Sequence, residues 1–442
     1  MGCAKRWLVP VALMHSCAPA QPNQTTEPTK QMKLNPWTVA LVGAGIVSLP
    51  STVKADEKIV ALQTAVASTT LSGYVDTSAQ WNIGTGNANL PPYAFGGTSK
   101  ADGFNLNVVK LQLEKPIDPA EVWSAGYKVD LIAGPDANTF STQSTLSTGK
   151  SDFAVKQAYV ALHTPIGTGL DFKVGVWDTI IGYEVFESGN NPNFTRSYGY
   201  TMEPTTHTGV LATYNVCEAF SLNVGIANTF GPTINGRANP PKSESFKTYM
   251  GSFTFTAPTN TGFLAGSTLS ACVINGFNTG VLGGAGESET SYYVGATLAT
   301  PVKGLKVGAA FDYMDVHNTS GETWCIGGYL AFQATEKLSL YARAEYLRDR
   351  GDQKVFVTRA VPTNPLSAVP LAPDKVLEIT GTVQYDLWKN VMTRLEVRWD
   401  HSLTGAGIWG GTTPNTFNGE TVTFGGNQDN AVAVIANVIY KF

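Results

Sequence analysis

Charged residues recur at every second position in five segments of the chain, and that spacing decides what chemistry they could perform. The rows are Lys110, Gln112 and Glu114; Lys128 and Asp130; Asp171 and Lys173; Arg343 and Glu345; and Arg394, Glu396, Arg398 and Asp400. Residues two apart in an extended strand share a face, so each row presents charge to one side only. Rows of both signs set up a transverse field across an aqueous passage, which passes hydrated polar solutes and slows apolar ones. Taken singly, each pair also reads as an ordinary ion pair that keeps a polar wall solvated.

Catalytic chemistry finds little support. The histidines are His15, His163, His207, His317 and His401, and none sits in a nucleophile motif. No Gly-x-Ser-x-Gly elbow, HExxH, phosphate loop or dinucleotide fingerprint occurs. His401 beside Asp400 is the best dyad candidate, with a solvated histidine at a strand end as the simpler account. Cys217, Cys272 and Cys325 are too scattered for a disulfide framework or a zinc site and read as packing residues. Neither an enzyme nor a bound cofactor or metal is expected.

The elements that carry the rows alternate with period two. In residues 391–400, Val391, Leu395, Val397 and Trp399 oppose Arg394, Glu396, Arg398 and Asp400; in residues 122–133, Trp123, Ala125, Tyr127, Val129 and Leu131 oppose Ser124, Gly126, Lys128 and Asp130. The chain closes on such a segment, residues 429–442, with Val434, Ala436, Val438, Tyr440 and Phe442 on one face. An aromatic end of this kind resembles the terminal targeting signal of bacterial outer-membrane proteins, which implies that Tyr440 and Phe442 are read by the barrel-assembly machinery. A closing strand of a soluble β-sandwich alternates as well.

Composition narrows the choice. Charged residues make up 14%, against about 25% in soluble domains, while mean hydropathy is only −0.04. Beyond residues 37–49 there is no long apolar run of the about 18 residues a membrane helix needs, so a membrane protein of this composition would be a barrel. A net charge of −4 without lysine-arginine clusters gives no footprint for nucleic acid.

The N-terminus points to export. Lys33, the apolar residues 37–49 and Val53-Lys54-Ala55 before Asp56 have the order of a secretory signal. Residues 1–31 then form an extension upstream of a signal peptide at 32–55, as though a start codon were assigned too early. A lipoprotein signal ending at Cys17 is the competing reading. Residues 56–70 would be a periplasmic lead-in and 71–442 the folded domain.

Sixteen alternating segments can be marked, and the connections between them vary in length. Long ones fall at 82–103, 134–151, 182–206, 231–245, 277–289, 316–322, 349–375 and 402–428; short ones at 115–120, 164–169, 217–219, 257–262, 301–304, 334–337 and 386–390. Alternation of long loops with short turns is the asymmetry of a transmembrane antiparallel up-and-down β-barrel, with long extracellular loops, short periplasmic turns and both ends on the short-turn side. The fold class expected is therefore all-β. Tryptophans at 81, 123, 177, 324, 388, 399 and 409 fall largely near strand ends or on outward faces, where a barrel needs an interfacial belt.

Sixteen strands enclose water, unlike small barrels that side chains fill. Turned inward, the charged rows would line that lumen, and neutralising Arg394 with Arg398 should then shift ion selectivity toward cations. Loop 182–206, with Tyr183, Glu184, Glu187 and Arg196, either folds inward as a constriction or stays extracellular.

Gly73-Tyr74-Val75-Asp76 and the stretch Lys173-Val174-Gly175-Val176-Trp177-Asp178-Thr179-Ile180-Ile181-Gly182-Tyr183-Glu184 also resemble the OmpL-like β-barrel porins, from about residue 71 to 442. The resemblance implies an outer-membrane location among lipids and passive diffusion of small polar solutes. A homotrimer is compatible with sixteen strands. A substrate-specific channel and a soluble carbohydrate-binding β-sandwich are the alternatives.

Overall fold

The computed structural model describes residues 68–442 except 85, 119, 141, 143–150, 239–244, 278–287, 317–321, 351–374, 405–406, 415, 419–420 and 424. The extension at 1–31, the signal at 32–55 and all but the end of the lead-in lie outside the described residues.

The strands are β1 (Thr70–Ile83), β2 (Gly103–Lys115), β3 (Ser124–Ala133), β4 (Phe153–Thr164), β5 (Leu170–Asp178), β6 (Thr206–Cys217), β7 (Phe220–Ala227), β8 (Thr248–Thr256) and β9 (Thr268–Phe277). They continue as β10 (Ser288–Ala299), β11 (Leu305–Val316), β12 (Glu322–Gln333), β13 (Leu338–Arg350), β14 (Lys375–Trp388) and β15 (Val391–Ser402). Two short strands, β16 (Thr416–Asn418) and β17 (Thr421–Thr423), pair with each other, and β18 (Asn430–Lys441) ends the chain. Helices α1 (Pro135–Phe140) and α2 (Tyr198–Met202) lie in connections.

Each barrel strand pairs antiparallel with its neighbours in sequence, and β18 pairs with both β15 and β1, closing the sheet. At that seam Gly73 N–H donates to the Phe442 carbonyl (2.9 Å) and Phe442 N–H to that of Gly73 (3.0 Å). Closure leaves no strand edge unpaired, a condition for crossing lipid. Length alternation between the two rims is not strict. The connection 317–321 is no longer than 300–304 on the opposite rim, and 257–267 is longer than both.

The wall is inverted relative to a soluble domain, in which large apolar side chains are inside and charges outside. Leu395 and Val397, between the charges of β15, are 54% and 47% exposed, whereas Arg343, Glu378, Glu396 and Arg398 are fully buried. An apolar band of this extent suits hydrocarbon and would be a liability in water. That inversion removes the β-sandwich.

Bulges break the regular alternation at sites that matter below. Between β1 and β2 the register jumps from Asp76–Val108 to Thr77–Leu106, leaving Asn107 as the extra residue. Between β3 and β4 it jumps from Asp130–Gln157 to Leu131–Val155, leaving Lys156 over. A bulge re-aims side chains, and Asn107 and Lys156 are both buried. Trp177 and Trp409 depart from the expected belt and are buried as well.

Candidate functional site

Residues 179–205 join β5 to β6. The chain turns at Gly182, whose φ of 114° is a conformation that only glycine takes at little cost. It then runs against the inner wall rather than away from it, and its backbone polar groups are satisfied by side chains from distant strands, as burial demands.

The Glu396 carboxylate accepts from the backbone N–H groups of Phe194 (2.6 Å) and Thr195 (2.9 Å) and from the Thr195 hydroxyl (2.6 Å). Thr382 donates to the same carboxylate at 2.7 Å. Glu345 accepts from Tyr198 N–H (3.0 Å), and Asp400 accepts from the Tyr198 hydroxyl (2.7 Å). Arginines hold the carbonyls: Arg343 donates to Thr195 O (2.7 Å), Arg394 to Ser188 O (2.8 Å) and Arg398 to Arg196 O (2.7 Å). Ser188 also bonds Asp76 on β1. At Gly199 a Cβ would meet Asp312 Oδ2 at 2.6 Å, so a larger residue there would push the Asp312 side chain aside.

The four loop residues marked from the sequence are turned toward protein. Glu184 pairs with Arg343 (2.9 Å), and Glu187 with Lys110 (2.6 Å) and Lys156 (3.3 Å). Despite the burial that opposes it, Lys156 and Lys110 hold the Glu187 carboxyl down at about 2. Arg196 donates to Phe194 O (2.6 Å) and Phe186 O and stacks over Phe95 and Tyr200. Tyr183 stacks on Tyr329 with centroids 4.0 Å apart, and its hydroxyl accepts from Thr297 (2.9 Å).

The charged rows on the wall divide into two groups. Lys110, Asp130, Arg343, Glu345, Arg394, Glu396, Arg398 and Asp400 are buried. Seven of them contact the loop, and one of these, Lys110, bridges it to Asp130 (2.9 Å). Buried charge is tolerated only when paired and hydrogen-bonded, and the loop supplies part of that pairing. Glu114, Lys128, Asp171 and Lys173 remain partly open. Next to them the inner face of β6 to β9 carries uncharged polar groups joined across strands: Thr213 to Asn223 (2.6 Å), Asn223 to Ser252 (3.1 Å), and Thr254 with Ser270 (3.1 Å). The loop contacts described above include none of these.

Several contributors were missed from the sequence. Lys156 needed knowledge of the bulge. Asp76, which binds Asn107 (2.9 Å) and Asn437 (2.7 Å), is a lone charge on its strand face, and Glu378, which binds Arg343 (3.2 Å), shares its face with no charge nearer than Asp386, eight residues on. That isolation was the available signal. The hydroxyl wall carries no charge and gave none. The dyad candidate fails on geometry, because adjacent strand residues face opposite ways: Asp400 binds Arg398 inside, whereas His401 bonds Asn430 (3.0 Å) and stacks on Trp399.

Residues 68–442 match the family described as "Putative beta-barrel porin-2, OmpL-like". The chain belongs to this porin family. It is an outer-membrane porin channel, and its family and fold are those of a channel rather than an enzyme. Three solved structures share the fold with this OmpL-like porin. The outer-membrane channel DcaP of Acinetobacter baumannii is 13% identical, with 85% of this chain and 97% of that one covered and a TM-score of 0.50. The anion-selective porin of Comamonas acidovorans is 11% identical, covering 85% and 99%, with a TM-score of 0.53. The trimer form of in-vitro folded OmpT of Vibrio cholerae is 12% identical, covering 85% and 99%, with a TM-score of 0.52. At these identities the likeness establishes the fold. Among curated proteins no sequence match was found.

Proposed function

We propose that this porin passes small hydrophilic solutes by passive diffusion, with residues 179–205 as the constriction. The observation that carries this reading is the polar and aromatic attachment of that loop to β10, β12 to β15, β18, β1, β2 and β4, while against β6 to β9 it packs the apolar side chains of Ile181 and Met202. Glu184 and Glu187 tie it to the wall, Arg196 braces it from within, Tyr183 props it on Tyr329, and the hydroxyl and amide groups of β6 to β9 are left as the opposing wall. Such a wall exchanges hydrogen bonds with hydrated solutes without selecting a sign of charge. Selectivity by sign then falls to Glu114, Lys128, Asp171 and Lys173. Arg394 and Arg398 act as anchors of the loop, so neutralising them should widen or destabilise the passage rather than merely shift its ion preference.

Residues 32–55 would direct export, with the mature chain starting at Asp56. Tyr440 and Phe442, both exposed on the outer face, would be read during assembly. A homotrimer completes the proposal, as in the OmpT structure of the same fold.

Planar-bilayer recording and liposome swelling test the reading together. Conductance should appear in groups of three equal steps, and neutral sugars should enter at rates that fall smoothly with size. A protein that inserts yet admits one sugar and excludes smaller ones would replace diffusion with a substrate-specific channel. Single independent steps would remove the trimer.

A further inference from the structure

A cavity of about 350 Å3 lies inside the short-turn end of the barrel, lined among others by Lys128, Tyr159, Ala161, Lys173, Pro116 and Ile117 and also by the acidic residues Glu114 and Asp171. The connection after β2 forms part of this lining because Gly126 lets it fold inward. A Cβ on Gly126 would lie 2.2 Å from the Lys115 carbonyl oxygen and 2.9 Å from the carbonyl carbon of Pro116. Lys128 stands opposite Tyr159 across β3 and β4, and Lys173 stands opposite Ala161 across β4 and β5. Tyr159 therefore lies between the two lysines, and the Lys173 ammonium sits 5.1 Å from its ring centroid.

The two ammonium groups are poorly neutralised. Lys173 makes no ion pair among the described residues. Lys128 reaches Glu114 and Asp130 only at 3.9 and 4.0 Å. Both carboxylates have nearer partners: Asp130 has Lys110 (2.9 Å) and Gln157 (2.9 Å), and Glu114 has Gln112 (2.7 Å). Asp171 is held by His163 at 2.6 Å. Charge-assisted hydrogen bonds from lysine to a carboxylate form at about 2.7–2.9 Å, and neither lysine has one here.

We propose that Lys128 and Lys173 form a binding subsite for the carboxylate of a small organic anion. Its carbon skeleton lies against Pro116, Ile117 and Ala161, and Tyr159 positions the Lys173 ammonium. Two donors facing an anion favour charge, while the apolar part of the lining favours an organic acid over an inorganic ion. The subsite would hold such a solute at one mouth of the channel and raise its local concentration there. The proposal rests on the diffusion-channel reading and narrows it to a solute class for which passage is favoured.

Benzoate, benzyl alcohol and inorganic phosphate probe the subsite in bilayers bathed in potassium chloride. Benzoate should interrupt the current in a concentration-dependent way. Benzyl alcohol, with the same ring and no charge, should not, and phosphate should act at least about tenfold more weakly. Lys173→Gln should weaken the benzoate effect about tenfold, and Lys173→Arg should largely restore it. Equal effects of benzyl alcohol and benzoate would overturn the charge reading. Equal effects of phosphate and benzoate would overturn the organic class, and an unchanged benzoate response in Lys173→Gln would overturn the site. Should that variant fail to fold, the comparison of the three solutes on the unaltered protein still decides. An unaltered protein that inserts but carries no current removes the diffusion reading, and the subsite with it; current without a benzoate effect removes the subsite alone.

Discussion

Glu396 is the residue on which the loop's attachment converges, since one carboxylate accepts from two backbone N–H groups and two hydroxyls. Glu396→Ala strands those buried donors, and each unpaired N–H costs about 1–3 kcal/mol. Glu396→Gln keeps an acceptor and should cost less. We expect the alanine variant to show larger and noisier single-channel currents and a lower unfolding temperature in detergent, with glutamine intermediate; quiet, unchanged currents in the alanine variant would refute the pinning role. The rows at spacing two made the alternating charges legible in advance, because a strand has only two faces. Their partners were not legible. Arg343 meets Glu184 across a sequence separation of 159 residues, and no local pattern encodes such a meeting.

At the scale of the element, the loop carries opposed responses to pH. Burial, followed by the nearby Asp312, pushes Glu203 well above the usual carboxylate range, with Glu184 and Glu345 adding to the effect. A carboxyl raised in the folded state favours its protonated form there. Its contribution is therefore fully present below about 4.3, the ordinary glutamate value, and declines as pH rises toward the folded value. Glu187 has the opposite sign. Held at about 2, it contributes above about 4.3 and loses that contribution as pH falls toward 2. Hydrogen exchange over residues 197–205 should accordingly quicken between pH 5 and pH 8, beyond the intrinsic rise, and Glu203→Gln should flatten the difference. A variant that keeps the full difference would show that Glu203 is not its source. The loop itself could be found in the sequence by its length and mixed composition, but its two alternatives, inward or outward, could not be separated. The separation depends on a Gly199 that clears Asp312 and on carboxylates contributed by β13 and β15.

For the whole molecule, strand number, antiparallel order and closure all followed from alternation and from the connections. Some boundaries moved by a residue or two, as at β3, which begins at Ser124 where 122 was expected, and others by more: β9 begins at Thr268 although the connection was expected to end at 262, and β5 ends at Asp178 although the next loop was expected to start at 182. The small β16–β17 hairpin was not foreseen, because three-residue strands carry too few alternations to register. Bulges escaped for the same reason. The terminal residue offers a test at this scale. Deleting Phe442 removes two seam hydrogen bonds with Gly73 and an outward ring near Tyr440. If Phe442 serves recognition, the deletion should lower the yield of folded barrel in cells severalfold while refolding from denaturant into detergent micelles stays efficient. Equal losses in both settings would assign the residue to stability alone.

The loop's anchors also impose an order in time. Its contacts with β13 and β15 span 146 to 206 residues of sequence, so the arginines at 343, 394 and 398 and the carboxylates at 345, 396 and 400 that hold it are synthesised after the loop itself. A barrel still lacking its last strands has only Asp76, Lys110 and Lys156 among these polar partners to fasten residues 179–205. The full set of anchors thus exists only in a finished cylinder, and if the loop is the proposed constriction, calibration of the hole is among the last events of its construction.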